Sequence, residues 1–166
     1  MKVTWPVGKE KARIGKACRQ HHELILGGSV LAIDPASRSM GWAIFRKGEL
    51  EDSGTYTVAG KLAEVRLQKL RELLWGWEVN VLAVEKIRGP AHNALYWSVG
   101  VTAVSVDYDA MVEVPISFWK VLAKQDSQYE KTDENDAVKI GETVVRLARE
   151  EAYLKDSAAM ILGGRK

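Results

Sequence analysis

The body of the chain carries short apolar runs that alternate with longer segments of helical periodicity. These patterns predict nine elements, in chain order strands at 30–33, 41–45 and 54–58, a helix at 61–77, a strand at 79–84, a helix at 91–106, a strand at 110–114, and helices at 133–150 and 154–162. Three strands with short connections form an antiparallel meander, and helices and strands alternate after it. This order predicts an α/β fold in which a five-stranded mixed sheet is flanked by helices.

Composition limits the class of protein. The 166 residues suffice for one domain with a real core, and 46% apolar with 28% charged residues is typical of a soluble globular protein. No apolar run approaches the roughly 20 residues that span a bilayer, and no secretory signal is visible. Cys18 is the only cysteine, which excludes an intramolecular disulfide and a cysteine-based zinc cluster. We therefore expect a cytoplasmic protein without a membrane partner.

Charge is unevenly distributed along the chain. The net charge is +2, but residues 1–22 hold six basic side chains against one acidic one, Glu10. A helix at 9–24 is only weakly indicated, because Gly15 and the pair His21–His22 interrupt it. We therefore divide the chain into a basic N-terminal extension at 1–29 and a main domain at 30–166. The extension is either a polyanion contact or a solvated tail.

Two acidic residues each follow a buried strand. Asp34 ends the run Val30-Leu31-Ala32-Ile33, and Glu85 ends the run Val81-Leu82-Ala83-Val84. If the two strands are neighbours, the carboxylates converge, and such groups repel one another unless a cation lies between them. An all-oxygen ligand set suits Mg²⁺ or Mn²⁺ and does not suit zinc. The pattern therefore indicates a metal site for phosphodiester chemistry.

The segment around Asp34 resembles a known family. Residues 30–43, VLAIDPASRSMGWA, are similar to the first motif of RuvC-type Holliday-junction resolvases, with Ala36 and Trp42 as departures. Val84-Glu85 resembles the second motif, and Gly100 lies at the family's spacing after it. The resemblance runs weakly over residues 30–166, and its departures suit a phage-encoded member, in a bacterial or phage-infected cell.

This resemblance implies an RNase H-like nuclease that resolves four-way DNA junctions with two Mg²⁺ or Mn²⁺ ions held partly by Asp34 and Glu85. It places Lys120 and Lys131 near the scissile phosphate as catalytic residues. Further side chains are implied as DNA contacts: Ser37, Arg38, Lys86, His92, Asn93 and Tyr96. Since a four-way junction has two-fold symmetry, paired nicks require a homodimer, which we expect to form through 61–77, 133–150 or both.

The acidic residue on the last helix is the open position. We favour Asp156, because only 16 residues separate Lys120 from Asp136 and this spacing leaves little room for an intervening helix. With Asp156 as the last member of the family's pattern, Tyr153 occupies the place of a fourth ligand. Candidate replacements for that ligand are Glu150 and Glu151, and the rival for the whole helical pair is Asp133 with Asp136.

Three other functions stay open at the level of sequence. The same residues suit an RNase H-like nuclease that acts on branched DNA or on RNA–DNA hybrids. The missing fourth ligand suits a protein that binds branched DNA without cutting it. An actin-like phosphotransferase also begins with a strand, an Asp and a glycine-containing hairpin, but 166 residues are too few for its two lobes.

Overall fold

The computed structural model describes residues 3–36, 38–87 and 93–163, with the side chains at 93–94 and 161–163 left aside. In chain order the elements of this part are α1 (Lys9–Gln20), α2 (His22–Gly27), β1 (Ser29–Asp34), β2 (Ser39–Arg46), β3 (Glu49–Thr57), α3 (Ala63–Leu74), β4 (Glu78–Lys86), α4 (Asn93–Ser105), β5 (Asp107–Pro115), α5 (Ile116–Gln125) and α6 (Asp133–Gly163). Among the helices described, none combines the length and apolar character needed to cross a membrane.

The five strands form one mixed sheet in the order β3-β2-β1-β4-β5. The meander β1-β2-β3 is antiparallel, whereas β1 pairs with β4 and β4 with β5 in parallel. The expectation of a five-stranded mixed sheet flanked by helices is therefore confirmed.

Alternation along the strands divides the core into two layers, because successive side chains of a strand point to opposite faces. On β1, Val30 and Ala32 belong to the layer that contains α1, α5 and α6. Leu31 and Ile33 belong to the layer that contains α3. Helices therefore cover both faces of the sheet, and the central strands β1 and β4 lie between two apolar layers.

The helices differ from the prediction in two places. A short helix, α5, begins directly after Pro115 and contains Lys120, so Lys120 does not precede an intervening helix but lies inside it. The predicted helices at 133–150 and 154–162 form one continuous helix, α6, of 31 residues. The residues around the predicted break, EEAYLK at 150–155, include no glycine or proline that would end a helix.

The N-terminal segment is folded into the core. Ile14, Cys18 and Ile25 are fully or almost fully buried in the layer of α6. Trp5 stacks on Phe118 with ring centroids 5.9 Å apart. Burial raises the pKa of the Cys18 thiol to about 12, which leaves it unreactive at neutral pH. Apolar side chains of the expected extension therefore belong to the same core as β1 and α6.

Candidate active site at the ends of the central strands

Two carboxylates converge where β1 and β4 end. The parallel register pairs Ile33 with Val84, so Asp34 and Glu85 are the next residues on neighbouring strands. Alternation gives Asp34 the orientation of Val30 and Ala32, and Glu85 shares that face in the same way. Both side chains therefore point to the face of the sheet that α6 covers.

The first turn of α6 lies directly over β2, next to Asp34. Gly41 is the antiparallel partner of Asp34, and a Cβ atom on Gly41 would overlap with the backbone carbonyl of Asp133. Only a residue without a side chain allows this approach, which is the physical reason for glycine here. The approach brings the acidic first turn of α6 to the strand ends.

Side chains hold this helix start in place. Thr132 caps α6, since its hydroxyl accepts a hydrogen bond from the Asn135 backbone N–H at 3.1 Å. The Ser39 hydroxyl donates to the Asp133 carboxylate, and the Ser53 hydroxyl donates to Glu134 at 2.6 Å. Acidic groups in the first turn are also favoured by the helix dipole. Helix α6 is therefore anchored to β2 and β3 by its own acidic residues.

Burial and neighbouring negative charge both shift the pKa of the Asp34 carboxyl group. Burial, and after it the charges of Glu85, Asp136 and Asp133 in that order of size, raise the pKa of Asp34 from 3.8 to about 8. Lys131 acts in the opposite direction and lowers this pKa. Asp34 is therefore surrounded by three other carboxylates, two of them on α6.

Glu85 has a different set of neighbours. Burial raises the pKa of Glu85, and the charge of Asp136 adds to this, whereas a hydrogen bond from Trp119 and the charge of Lys120 lower it. The Trp119 indole N–H donates to Glu85 Oε2 at 2.7 Å. Glu85 is thus held in one orientation by α5.

A second aromatic side chain holds the acid on α6. The Tyr129 hydroxyl donates to Asp136 Oδ1. Burial raises the pKa of Tyr129, and the hydrogen bond to Asp136 adds to the shift, so the phenol stays protonated as a donor. Sequence reasoning did not find Trp119 and Tyr129 as partners of the carboxylates. The only available signal was their position beside the lysines at 120 and 131.

The structure does not bring Asp156 to the site. Asp156 is exposed on α6, 20 residues after Asp136 and hence about 30 Å along the helix. The spacing argument that favoured it fails because Lys120 lies within α5. Asp133 and Asp136, the rival pair, lie beside Asp34 instead.

The other candidates for a fourth ligand also lie elsewhere on α6. Glu150 accepts hydrogen bonds of 2.9 and 3.0 Å from the Trp5 indole. Glu151 forms an ion pair with Arg19 at 2.7 Å, and Tyr153 is exposed. These acidic residues anchor the N-terminal segment and are not part of the cluster around Asp34.

The residues expected to contact DNA differ in exposure and in their partners. Arg38 is exposed after β1, whereas Lys86 is half-buried and forms an ion pair with Glu10 on α1 at 3.5 Å. Tyr96 lies on α4, whose Ser98 donates a hydrogen bond of 3.1 Å to the Ala36 carbonyl next to Asp34. Ser37 and His92 lie outside the described residues, as does the side chain of Asn93.

The donor set fits a hard divalent cation by its chemistry. All candidate ligands are carboxylates, and the raised pKa of Asp34 is the property that a bound cation would reverse. Within the part of the chain that is described, no three acidic, His or Cys side chains enclose a position for an ion as they stand. The carboxylates that would have to converge are held by hydrogen bonds from Ser39, Trp119 and Tyr129.

The sheet order, the two helical layers and the acidic strand ends define an RNase H-like fold. Two solved structures share this fold: Thermus thermophilus RuvC, with a TM-score of 0.54, 16% identity and coverage of 74% of this chain and 96% of that one, and T. thermophilus RuvC in complex with Holliday junction substrate, with a TM-score of 0.56, 16% identity and coverage of 74% and 95%. No protein-family model and no curated protein sequence matches the chain.

Proposed function

We propose that this protein is a metal-dependent endonuclease that cuts four-way DNA junctions, with its active site at Asp34. The observation that carries the proposal is the cluster of carboxylates at the ends of β1 and β4 and the start of α6, where burial and neighbouring negative charge raise the pKa of Asp34 to about 8. Such an arrangement costs folding free energy, and a role that needs negative charge at this point accounts for it.

Asp34, Glu85 and Asp136 are the residues that would hold Mg²⁺ or Mn²⁺, with Asp133 as a fourth carboxylate. Bound there, the cations supply activation of water and neutralisation of charge in phosphodiester hydrolysis. Lys131 lies close enough to Asp34 to lower its pKa, and Lys120 acts on Glu85 in the same way. Both lysines can therefore bind and neutralise the phosphate at the carboxylates.

The choice of junction DNA among nucleic acids rests on the likeness to RuvC, which has been solved in complex with Holliday junction substrate. Paired cuts in such a substrate require two active sites at a fixed separation, and hence a dimer. Helix α4 offers the surface for it. Its 13 residues include no charged side chain, and Trp97 and Val104 are 56% and 78% exposed.

This surface is wider than one helix. Trp75, at the end of α3, is 68% exposed and lines a common cavity with Val104. Apolar patches that a monomer leaves open are typical of interfaces. The surface we expected at 133–150 is unsuitable because Ile140, Val144 and Leu147 pack into the core. We therefore place the dimer contact on α4 and Trp75.

A cleavage assay on a synthetic four-way junction tests the proposal. Wild-type protein should give paired symmetric nicks with Mg²⁺ or Mn²⁺ and none in chelator, whereas Asp34→Asn should lose activity by at least about 100-fold. Asp136→Asn should behave like Asp34→Asn. Asp156→Asn is the matched control on the same helix, and it should cut within about twofold of wild type because Asp156 lies far from the site.

Other outcomes identify other functions. Equal cutting of linear duplex and junction would point to a nuclease of broader specificity with the same residues. Tight junction binding with no cutting by wild-type protein would point to a DNA-binding protein without catalysis. Full activity of Asp136→Asn with loss in Asp156→Asn would contradict the assignment of the site.

A further inference from the structure

A basic pocket adjoins the carboxylate cluster on the side of α5. The cavity has a volume of about 270 Å³. Its lining combines three lysines with two aromatic side chains and one small residue: Lys120, Lys124, Lys131, Trp119, Tyr129 and Ala123. All three lysines are exposed, so the rim of the pocket carries positive charge while its wall is aromatic.

The charge on this rim is available to a ligand. Within the described residues, none of the three lysines is within ion-pairing distance of a carboxylate. Lys120 lies over the Trp119 ring, 5.5 Å from its centroid. Lys124 follows Lys120 by one helical turn on α5, so the Cα atoms of the two lysines lie on one face of the helix, about 6 Å apart along its axis.

The pocket and the acidic site share their walls. Trp119 lines the pocket and donates its indole N–H to Glu85, and Tyr129 lines the pocket and donates its hydroxyl to Asp136. A strand that enters the pocket therefore lies directly beside the carboxylates. A phosphate in the pocket would face lysine side chains. A phosphate at Asp34 would face carboxylates and would require a metal ion.

We propose that this pocket binds the phosphodiester group next to the scissile one on the cut strand, with Lys124 as its main contact. The inference rests on the proposed nuclease function and deepens it, because it assigns a second phosphate subsite outside the carboxylate cluster. Lys120 and Lys131 lie between the two subsites. Lys124 belongs to the outer one, since it lines the pocket one helical turn beyond Lys120 on α5.

Neutral phosphate analogues test the assignment. A junction is prepared with one methylphosphonate linkage at each position around the cut in turn, and binding is measured in chelator and cleavage in Mn²⁺. Lys124→Gln should weaken binding of the unmodified junction about fivefold and make the dependence of log K on log salt less steep by roughly 0.7–0.9. On the junction that is neutral at the flanking phosphate, wild type and Lys124→Gln should bind equally.

Lys69→Gln is the matched control, an exposed lysine on α3 at the opposite face of the sheet. It should leave binding of every substrate within about 1.5-fold of wild type. If Lys124→Gln weakens binding by the same factor on all methylphosphonate junctions, or weakens binding of none of them, the subsite is overturned.

The two proposals fail separately. If wild-type protein binds junctions, and the effect of Lys124→Gln depends on the flanking phosphate as expected, but no junction is cut, the nuclease function is refuted and the subsite stands. A protein that cuts at Asp34-dependent positions without coupling at Lys124 refutes the subsite and keeps the nuclease. No detectable junction binding by wild type refutes both.

Discussion

The carboxyl group of Asp34 titrates near pH 8 in the folded protein because it is buried beside Glu85, Asp136 and Asp133. In the unfolded chain the same group titrates near its ordinary pKa of 3.8. Between these two values the folded state keeps a proton that the unfolded state has released. Without metal, the contribution of Asp34 to stability is therefore present below about pH 4 and is lost progressively as the pH rises to 8.

Asp34→Asn should remove this dependence. In chelator at pH 8, the variant should melt at least about 2 °C above wild type, which corresponds to roughly 1 kcal/mol for a chain of this size. At about pH 3, below the ordinary pKa of 3.8, the two proteins should melt together, since the wild-type carboxyl is then neutral in both the folded and the unfolded state. Thermal unfolding followed by circular dichroism measures the difference. A gap that is equal at both pH values, or that also occurs in Asp156→Asn, would contradict the explanation.

The convergence of Asp34 and Glu85 could be predicted from sequence because it depends on local rules. Period-two alternation and parallel pairing of two apolar runs suffice to place both side chains on one face. The hydrogen bonds from Trp119 and Tyr129 could not be predicted in this way. They depend on where α5 packs, and no residue pattern in a strand or helix specifies that.

Helix α6 reaches the site because its first turn lies on a strand position without a side chain. Gly41 pairs with Asp34 across β1 and β2, and the backbone of Asp133 occupies the space of its missing Cβ. The helix start is also tied to β2 and β3 by Ser39 and Ser53. One glycine therefore sets how closely two acidic residues approach Asp34.

Gly41→Ala should displace the start of α6. Because the added methyl group would overlap with backbone and not with a flexible side chain, we expect a loss of about 1–3 kcal/mol in unfolding free energy. Junction cleavage should fall further than this loss explains, since Asp133 and Asp136 move with the helix. Denaturant unfolding and single-turnover cleavage measure the two effects.

Gly27→Ala is the control for Gly41→Ala, because a Cβ at Gly27 meets nothing within 4 Å. It should change neither stability by more than about 0.5 kcal/mol nor cleavage. Wild-type activity and stability in Gly41→Ala would show that the contact with Asp133 does not position the acidic turn.

At the level of elements, the order of strands and helices followed from hydrophobic periodicity, but the helical end of the site did not. The expected break near residue 152 is absent, because nothing in EEAYLK stops a helix. Helix α5 was missed, and its absence from the prediction made Asp136 seem too close to Lys120. Because α5 was not assigned from the sequence, the expected ligand was placed at Asp156, 20 residues after Asp136.

On the scale of the whole molecule, the two sides of the sheet are covered unequally. The layer of α6 is covered by the N-terminal segment. The Trp5 indole N–H donates a hydrogen bond to Glu150, and Arg19 donates one to Glu151. The opposite layer ends at α4, which packs on α3 and leaves an uncharged face exposed. Periodicity could predict both helices but not which face stays uncovered, since that depends on the order of layers.

Val104→Glu tests whether this face joins two copies of the chain. Val104 is 78% exposed, so a glutamate is compatible with the folded monomer, whereas two such charges at a two-fold contact would be desolvated and repel each other. We expect the dissociation constant of the dimer, measured by analytical ultracentrifugation, to rise at least about tenfold.

Paired nicks on a junction should be replaced by single nicks, because each monomer then cuts independently. Val7→Glu, at a valine on the N-terminal segment that is 88% exposed, should leave both measurements unchanged. A wild-type protein that stays monomeric at micromolar concentration with and without junction DNA would refute the dimer, and unchanged dimerisation of Val104→Glu would move the contact to another surface.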